Sequence, residues 1–234
     1  MKIYTYKLLM LGFITIFIAS CSSNEVKKID LIKKYEKMLA NNDLQTAVFY
    51  LQEYLFLDST NISYSDSLAR HYEDLNNALA AEKYARKVVI TQPLNEHMQE
   101  IIAVVAMQKG QETEAINIYE KLFETTKDFT HLYNLGIIYS ELGKSENALQ
   151  IADRLMQEPD SEIKTIRAPM LSAKTKQSVS LKAAALLLKS VVQLRPPANN
   201  RAKSYEYLKE CLTLQPDFEV AQNLANQYFG NGGN

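Results

Sequence analysis

An all-α chain, built as a row of antiparallel helix hairpins, is the fold class this sequence predicts, and three observations lead to it. Apolar residues recur at helical spacing along most of the chain, small residues return every 33 or 34 positions, and turn formers are scarce. With seven glycines and six prolines in 234 residues, long elements must dominate; an all-β fold would need more frequent turns. Hydrophobic residues make up 47% and charged residues 23%, an ordinary balance for a chain that packs a core.

Residues 1–20 are set aside from the fold as a targeting segment. Lys2 and Lys7 give it a positive start, and Leu8 to Ala19 form a mostly apolar run. That run is too short for a spanning helix, which needs roughly 20 residues. It ends in Ile18-Ala19-Ser20-Cys21, an aliphatic residue and two small ones before a cysteine. That ending resembles the lipobox of bacterial lipoproteins. The resemblance implies cleavage before Cys21, acylation of its thiol and amine, and an outer-membrane lipoprotein facing the periplasm, because Ser22 and not an aspartate follows. Ser22-Ser23-Asn24-Glu25 carries one acid, which leaves cell-surface display open. Residues 21–27 are then a lipidated linker, 28–230 the folded domain and 231–234 a disordered tail. Without residues 1–20, 24 basic residues stand against 27 acidic ones, and this balance offers nothing to attract nucleic acid.

The folded part opens with a hairpin over 28–61. Leu31, Tyr35 and Met38 precede a turn at Asn41-Asn42-Asp43, and Ala47, Leu51 and Tyr54 follow on one face. The clearest unit runs from Phe129 to Asp160. Its first helix carries Leu132, Leu135, Gly136 and Tyr139; after Gly143-Lys144 the second carries Ala148, Ala152 and Leu155, and Pro159 ends it. One repeat earlier stand Ala103, Gly110, Ala115 and Leu122 in the matching places, and Leu68, Ala69 and Tyr72 repeat the spacing once more. Ala81, Ala85 and Val88 supply that unit's second helix. Val179 to Arg195 reads as a long apolar helix, Pro196 to Asn200 as a turn, and Ser204, Leu208 and Cys211 as the next helical face, which stops at Pro216. Residues 218–229 form a final capping helix, as a helical array needs at its end.

This pattern resembles the tetratricopeptide repeat, in which small residues sit where two helices approach closely. The resemblance covers about 28–230 and implies a right-handed solenoid. Two departures stand out: the chain has no tryptophan, and the unit at 96–128 has no terminal proline. Residues 161–178 fit no repeat. Thr165 to Met170 and Lys176 to Leu181 pair as a short β-hairpin or join an irregularly started helix, and Pro169 counts against a regular strand.

No catalytic constellation emerges, and neither a cofactor nor a metal site is expected. Gly143-Lys144-Ser145 has the end of a phosphate-binding loop, but Gly136 lies two residues too far upstream for backbone amides to wrap a phosphate. His71, His97 and His131 fall in different repeats, and each reads as a polar surface residue. The acids Glu73, Asp74, Glu112 and Glu114 read as solvated faces. Cys211, the cysteine left after Cys21, reads as a small core residue, and no disulfide framework is possible. What remains is recognition. By the tetratricopeptide resemblance, first helices line an inner surface that receives peptides or partner helices. Its candidates here are Arg70, Val104, Met107, Tyr133, Asn134, Ile137 and Ser140, and packing between helices is the alternative for some of them. Asn134 matches one position of the family's carboxylate clamp, but Glu100 and Ile101 replace the polar or basic residues that a clamp needs. The expected function is a lipid-anchored, non-enzymatic scaffold for a protein or peptide. The alternative is capture of a small molecule or glycan, with the 14 tyrosines standing in for tryptophan.

Overall fold

The computed structural model describes residues 24–169 and 176–230. The chain divides after Lys109 into two compact units. The first holds α1 (24–40), α2 (Leu44–Leu57), α3 (Ile62–Asp74), α4 (Ala78–Thr91) and α5 (Glu96–Gln108). The second holds α6 (Glu112–Thr126), α7 (Phe129–Glu141), α8 (Ser145–Gln157), α9 (Leu181–Leu194), α10 (Arg201–Leu214) and α11 (Glu219–Phe229). Between α8 and α9 it adds β1 (Thr165–Pro169) and β2 (Lys176–Ser180). The two strands pair antiparallel, with Ile166 opposite Val179 and Arg167 opposite Ser178, so the hairpin alternative for this stretch is the one formed. The tail at 231–234 and the segment 1–20 lie outside the described residues.

Helix ends follow the sequence closely. Asp43, Asn61, Asn77, Asn95, Asp128, Ser180 and Asn200 each accept a hydrogen bond from a backbone amide two or three residues on, satisfying a donor that the first turn leaves open. Asn42, Asn76, Gly110 and Gly143 recur at the repeat spacing, and all take the left-handed conformation that lets one helix stop and the next reverse. The repeat is therefore written in its turns as well as its core. Helix α1 starts at residue 24, inside the stretch predicted as linker, and Lys28 reinforces that start by pairing with Glu25 at 2.8 Å and Asp58 at 3.2 Å.

In the first unit Tyr35, Ala47, Val48, Leu51, Tyr54, Leu55 and Leu68 form the core, with Leu31, Ile32 and Met38 packed against it. Tyrosines take much of this space: Tyr54 meets Tyr64 edge-on at 4.8 Å, and Tyr72 stacks on Tyr84 at 5.8 Å. Glu82 is buried in the same unit between Arg86, at 2.8 Å, and Lys109. Burial pushes its carboxyl up, but the hydrogen bonds from Lys109 and Arg86 outweigh this and hold it below the usual range.

In the second unit α9 packs on α7, α8 and α10. Its face is small and apolar, with Ala183, Ala184, Leu187 and Leu188 fully buried or nearly so. Gly136 is the point of closest approach. A Cβ there would stand 2.5 Å from Leu188 Cδ2 and 3.0 Å from Ile151 Cγ2, so the glycine admits α8 and α9 together. Ser190 and Ser204 satisfy each other across α9 and α10 at 2.8 Å. Each fully buried leucine in such a core contributes about 1.5–3 kcal/mol.

Candidate functional site

Moving along the chain one repeat at a time makes Arg70, Val104 and Ile137 equivalent positions. Asp66, Glu100 and Tyr133 form a second such set, and Glu73, Met107 and Ser140 a third. In the first unit these residues run along α3 and α5 at the three- and four-residue spacing that aligns side chains on one helix face. Two contacts hold the two stripes side by side. His97 Nε2 lies 2.8 Å from Glu73 Oε2, and Asn95 Nδ2 donates to Asp66 at 3.1 Å. Arg70 is exposed and pairs with Asp66 at 2.7 Å. Val104 is 50% exposed, an apolar side chain facing water, and Met107 beside it is half-buried. The α3–α5 face is thus an accessible apolar spot among three carboxylates, one guanidinium and one imidazole.

The same face of α7 is closed. Tyr133 is 4% exposed and Ser140 3%, while Asn134 and Ile137 are half-buried. The β-hairpin packs on α7: Arg167 N donates to Thr130 Oγ1 at 3.2 Å, and the Arg167 guanidinium pairs with Asp128 at 3.0 Å. At the far end Arg195 Nη1 donates to the Ser140 carbonyl at 3.1 Å. Burial raises the Tyr133 phenol well above its ordinary range, so it stays neutral. Tyr133 and Ser140, expected as partner-facing candidates, are packing residues. The sequence hides this because their cover comes from elements distant in the chain: Arg195, past α9, holds the Ser140 carbonyl, and Cys211 of α10 lies near Tyr133.

His131, read as a surface residue, is fully buried beside Tyr119, with ring centroids 6.3 Å apart. Its helix carries it inward along with Leu132 and Leu135. His71 bonds the Tyr35 hydroxyl at 2.8 Å, and burial lowers its pKa, with Asp74 opposing. Cys211 is a core residue, bonded to the Ala183 carbonyl at 3.2 Å, and burial pushes its thiol up to about 12. Gly143 makes a left-handed turn and nothing more. Cys21 lies outside the described residues. No described helix is long and apolar enough to cross a membrane.

Sequence reasoning missed one cavity altogether. A cleft of about 470 Å³ lies between α6 and α8, with Leu132, Leu135 and Tyr139 of α7 among its lining. Glu120 and Glu124 supply acid, Lys127 and Arg154 supply base, and the Arg154 guanidinium sits 4.7 Å from the centre of the Phe123 ring. Helical spacing would have placed Glu120, Phe123 and Glu124 on one face. Nothing in it says that the facing residues of α8 stand off and leave a gap.

Comparison with known proteins supports the architecture. Residues 132–157, the greater part of α7 and α8, match the tetratricopeptide repeat model. No curated protein matches the chain by sequence. Among solved structures, a tetratricopeptide repeat protein from Parabacteroides merdae ATCC 43184 aligns at a TM-score of 0.62 and 17% identity, over 87% of this chain and 73% of that one. YrrB, described as a TPR protein with an unusual peptide-binding site, aligns at 0.58 and 18% identity over 90% of this chain and 97% of its own. MamA aligns at 0.58 and 14% identity, over 87% and 96%. Likeness at this level establishes the fold, which is tetratricopeptide-like.

Proposed function

We propose that the chain is a non-enzymatic scaffold, acylated at Cys21 on the periplasmic face of the outer membrane, that holds a segment of a partner protein on the α3–α5 face. One observation carries this reading. Val104 stands half-exposed with Met107 beside it, ringed by Asp66, Glu73 and Glu100. Burying an apolar side chain there is favourable, and methionine adapts to the shape it meets. The surrounding carboxylates favour a segment whose apolar anchor is flanked by lysine or arginine. A helix face fixed before the partner arrives reduces the ordering cost of binding. The peptide-binding site attributed to YrrB shows that the fold accommodates such a role.

The test places a photo-cross-linking amino acid at Val104 in one strain and at Ile137 in another. A single adduct from Val104, absent from Ile137 and lost on Met107→Asp, supports the reading; equal adducts from both positions refute it. Cys21→Ser should release the protein from membranes. Retention of that variant would end the anchor reading. The α6–α8 cleft favours a second reading, capture of a small molecule, since its volume of about 470 Å³ suits one and Glu120, Glu124, Lys127 and Arg154 offer polar groups of both signs. Thermal stabilisation by a glycan or small-ligand panel, abolished by Phe123→Ala, would favour it.

A further inference from the structure

The outer face of α1 has no partner among the described residues, and its position is constrained by the anchor. Taken at 100° per residue, Leu31, Ile32, Tyr35, Met38 and Leu39 point to one side of α1 and pack in the core of the first unit. On the opposite side Val26, Ile29, Lys33 and Lys37 form a single stripe. Val26 is 67% exposed and Ile29 56%, the only large apolar side chains of α1 given to solvent. Lys33 and Lys37 are exposed and carry no ion pair among the described residues. Two acids flank the stripe: Asp30 is taken up by Lys34 at 2.7 Å, and the exposed Glu36 stands beside Ile29 on its other edge.

Only Ser22 and Ser23 separate Cys21 from residue 24, where α1 begins. Three Cα steps span at most roughly 11 Å. If Cys21 is acylated, its backbone sits at the level of the lipid headgroups, and the first turns of α1 cannot leave that zone. We infer that α1 lies against the bilayer in which Cys21 is anchored, with Val26 and Ile29 in the interface and Lys33 and Lys37 on lipid phosphates. This rests on the anchor reading proposed above. An acyl group alone would tether the domain on a loose string. The stripe fixes which side of the first unit faces the membrane, as an interfacial helix does when apolar residues dip below the headgroups and lysines stay with the phosphates.

The experiment uses the full-length lipoprotein, purified and reconstituted into vesicles of phosphatidylethanolamine and phosphatidylglycerol that contain a nitroxide-labelled lipid. An environment-sensitive fluorophore is attached at Val26→Cys, Ile29→Cys or, as a control on α4, Lys83→Cys; Cys211 is buried and will not compete. Mass spectrometry of the Cys21 peptide is run on every sample. The expected result is quenching roughly threefold stronger at positions 26 and 29 than at 83, as contact with the interface requires. Charge reversal by Lys33→Glu with Lys37→Glu should weaken it on these anionic vesicles and leave it unchanged on neutral ones. Equal quenching at 26 and 83 in protein whose Cys21 is acylated overturns the inference and leaves the anchor standing. Absence of acyl chains on Cys21 overturns both. Shielding of position 26 in cells but not in vesicles would mean that a protein covers the stripe, and would also overturn it.

Discussion

The first-helix faces of the two units differ in what became of the same repeat positions. On α3 and α5 the three sets of equivalents hold Asp66 and Glu100, Arg70 and Val104, Glu73 and Met107, mostly charged and accessible. On α7 they hold Tyr133, Ile137 and Ser140, two of them buried and none charged. A covered position must be uncharged, because an uncompensated charge would be costly there. An open position is free to be charged. The contrast teaches that the repeat sets where a side chain stands, while neighbouring structure sets whether a partner can reach it.

Changes on the covered side should cost stability, and changes on the open side should cost binding. The largest effect is expected from Gly136→Val, which forces atoms into the contact with Leu188 and Ile151 and should destabilise the second unit by about 3 kcal/mol. Denaturant titration with a probe in that unit checks it; an unchanged midpoint would disprove the close approach. Next is Ile166→Ala, at a hairpin position only 1% exposed. It should cost about 2–3 kcal/mol and speed amide exchange at Thr130 to Tyr133, where the hairpin packs. If exchange on α7 did not change, the hairpin would not be the cover.

A smaller, pH-dependent effect belongs to the first unit. Burial depresses the His71 pKa below the unfolded value, so the unfolded chain takes up the proton first as pH falls. Stability from this residue is full above about pH 6.5 and declines below it. Melting curves between pH 7 and 5 should show a slope that His71→Gln removes; Glu82 acts in the same sense only at lower pH, in the carboxylate range. The smallest effect on stability is predicted for Val104→Ser, within about 0.5 kcal/mol of the parent, because the side chain already faces water. The same change should weaken partner cross-linking on the α3–α5 face. A large loss of stability would mean that Val104 is a core residue and would erase the contrast between the faces.

Much of this was legible in the sequence. Ala69, Ala103 and Gly136 mark the close contacts, and Pro93 and Pro159 mark helix ends. The capping roles of Asn61, Asn77 and Asn95 were not read from the sequence, although such side chains compete for backbone amides wherever they stand. What could not be read was long-range. Tyr133 and His131 look like surface or groove residues by position alone, and only the hairpin and the packing around α7 decide otherwise. The α6–α8 cleft escaped for the same reason: a gap between helices is a property of two faces, and periodicity describes one at a time.

The first-helix caps Asn61, Asn95 and Asp128 follow one another at the repeat spacing, but the next cap, Ser180, comes well over a repeat length after Asp128. Ser161 stands where the cadence would have placed it, and its carbonyl accepts from Lys182 N at 2.9 Å, so the two ends of the extra stretch meet. The strands are thus a cartridge loaded at a seam between two modules. A chain joined from Ser161 to Ser180 has little gap to bridge. It would uncover Asp128 and Thr130, which Arg167 now holds, and so convert the start of α7 from a structural part of the array into a second place for trade with other molecules.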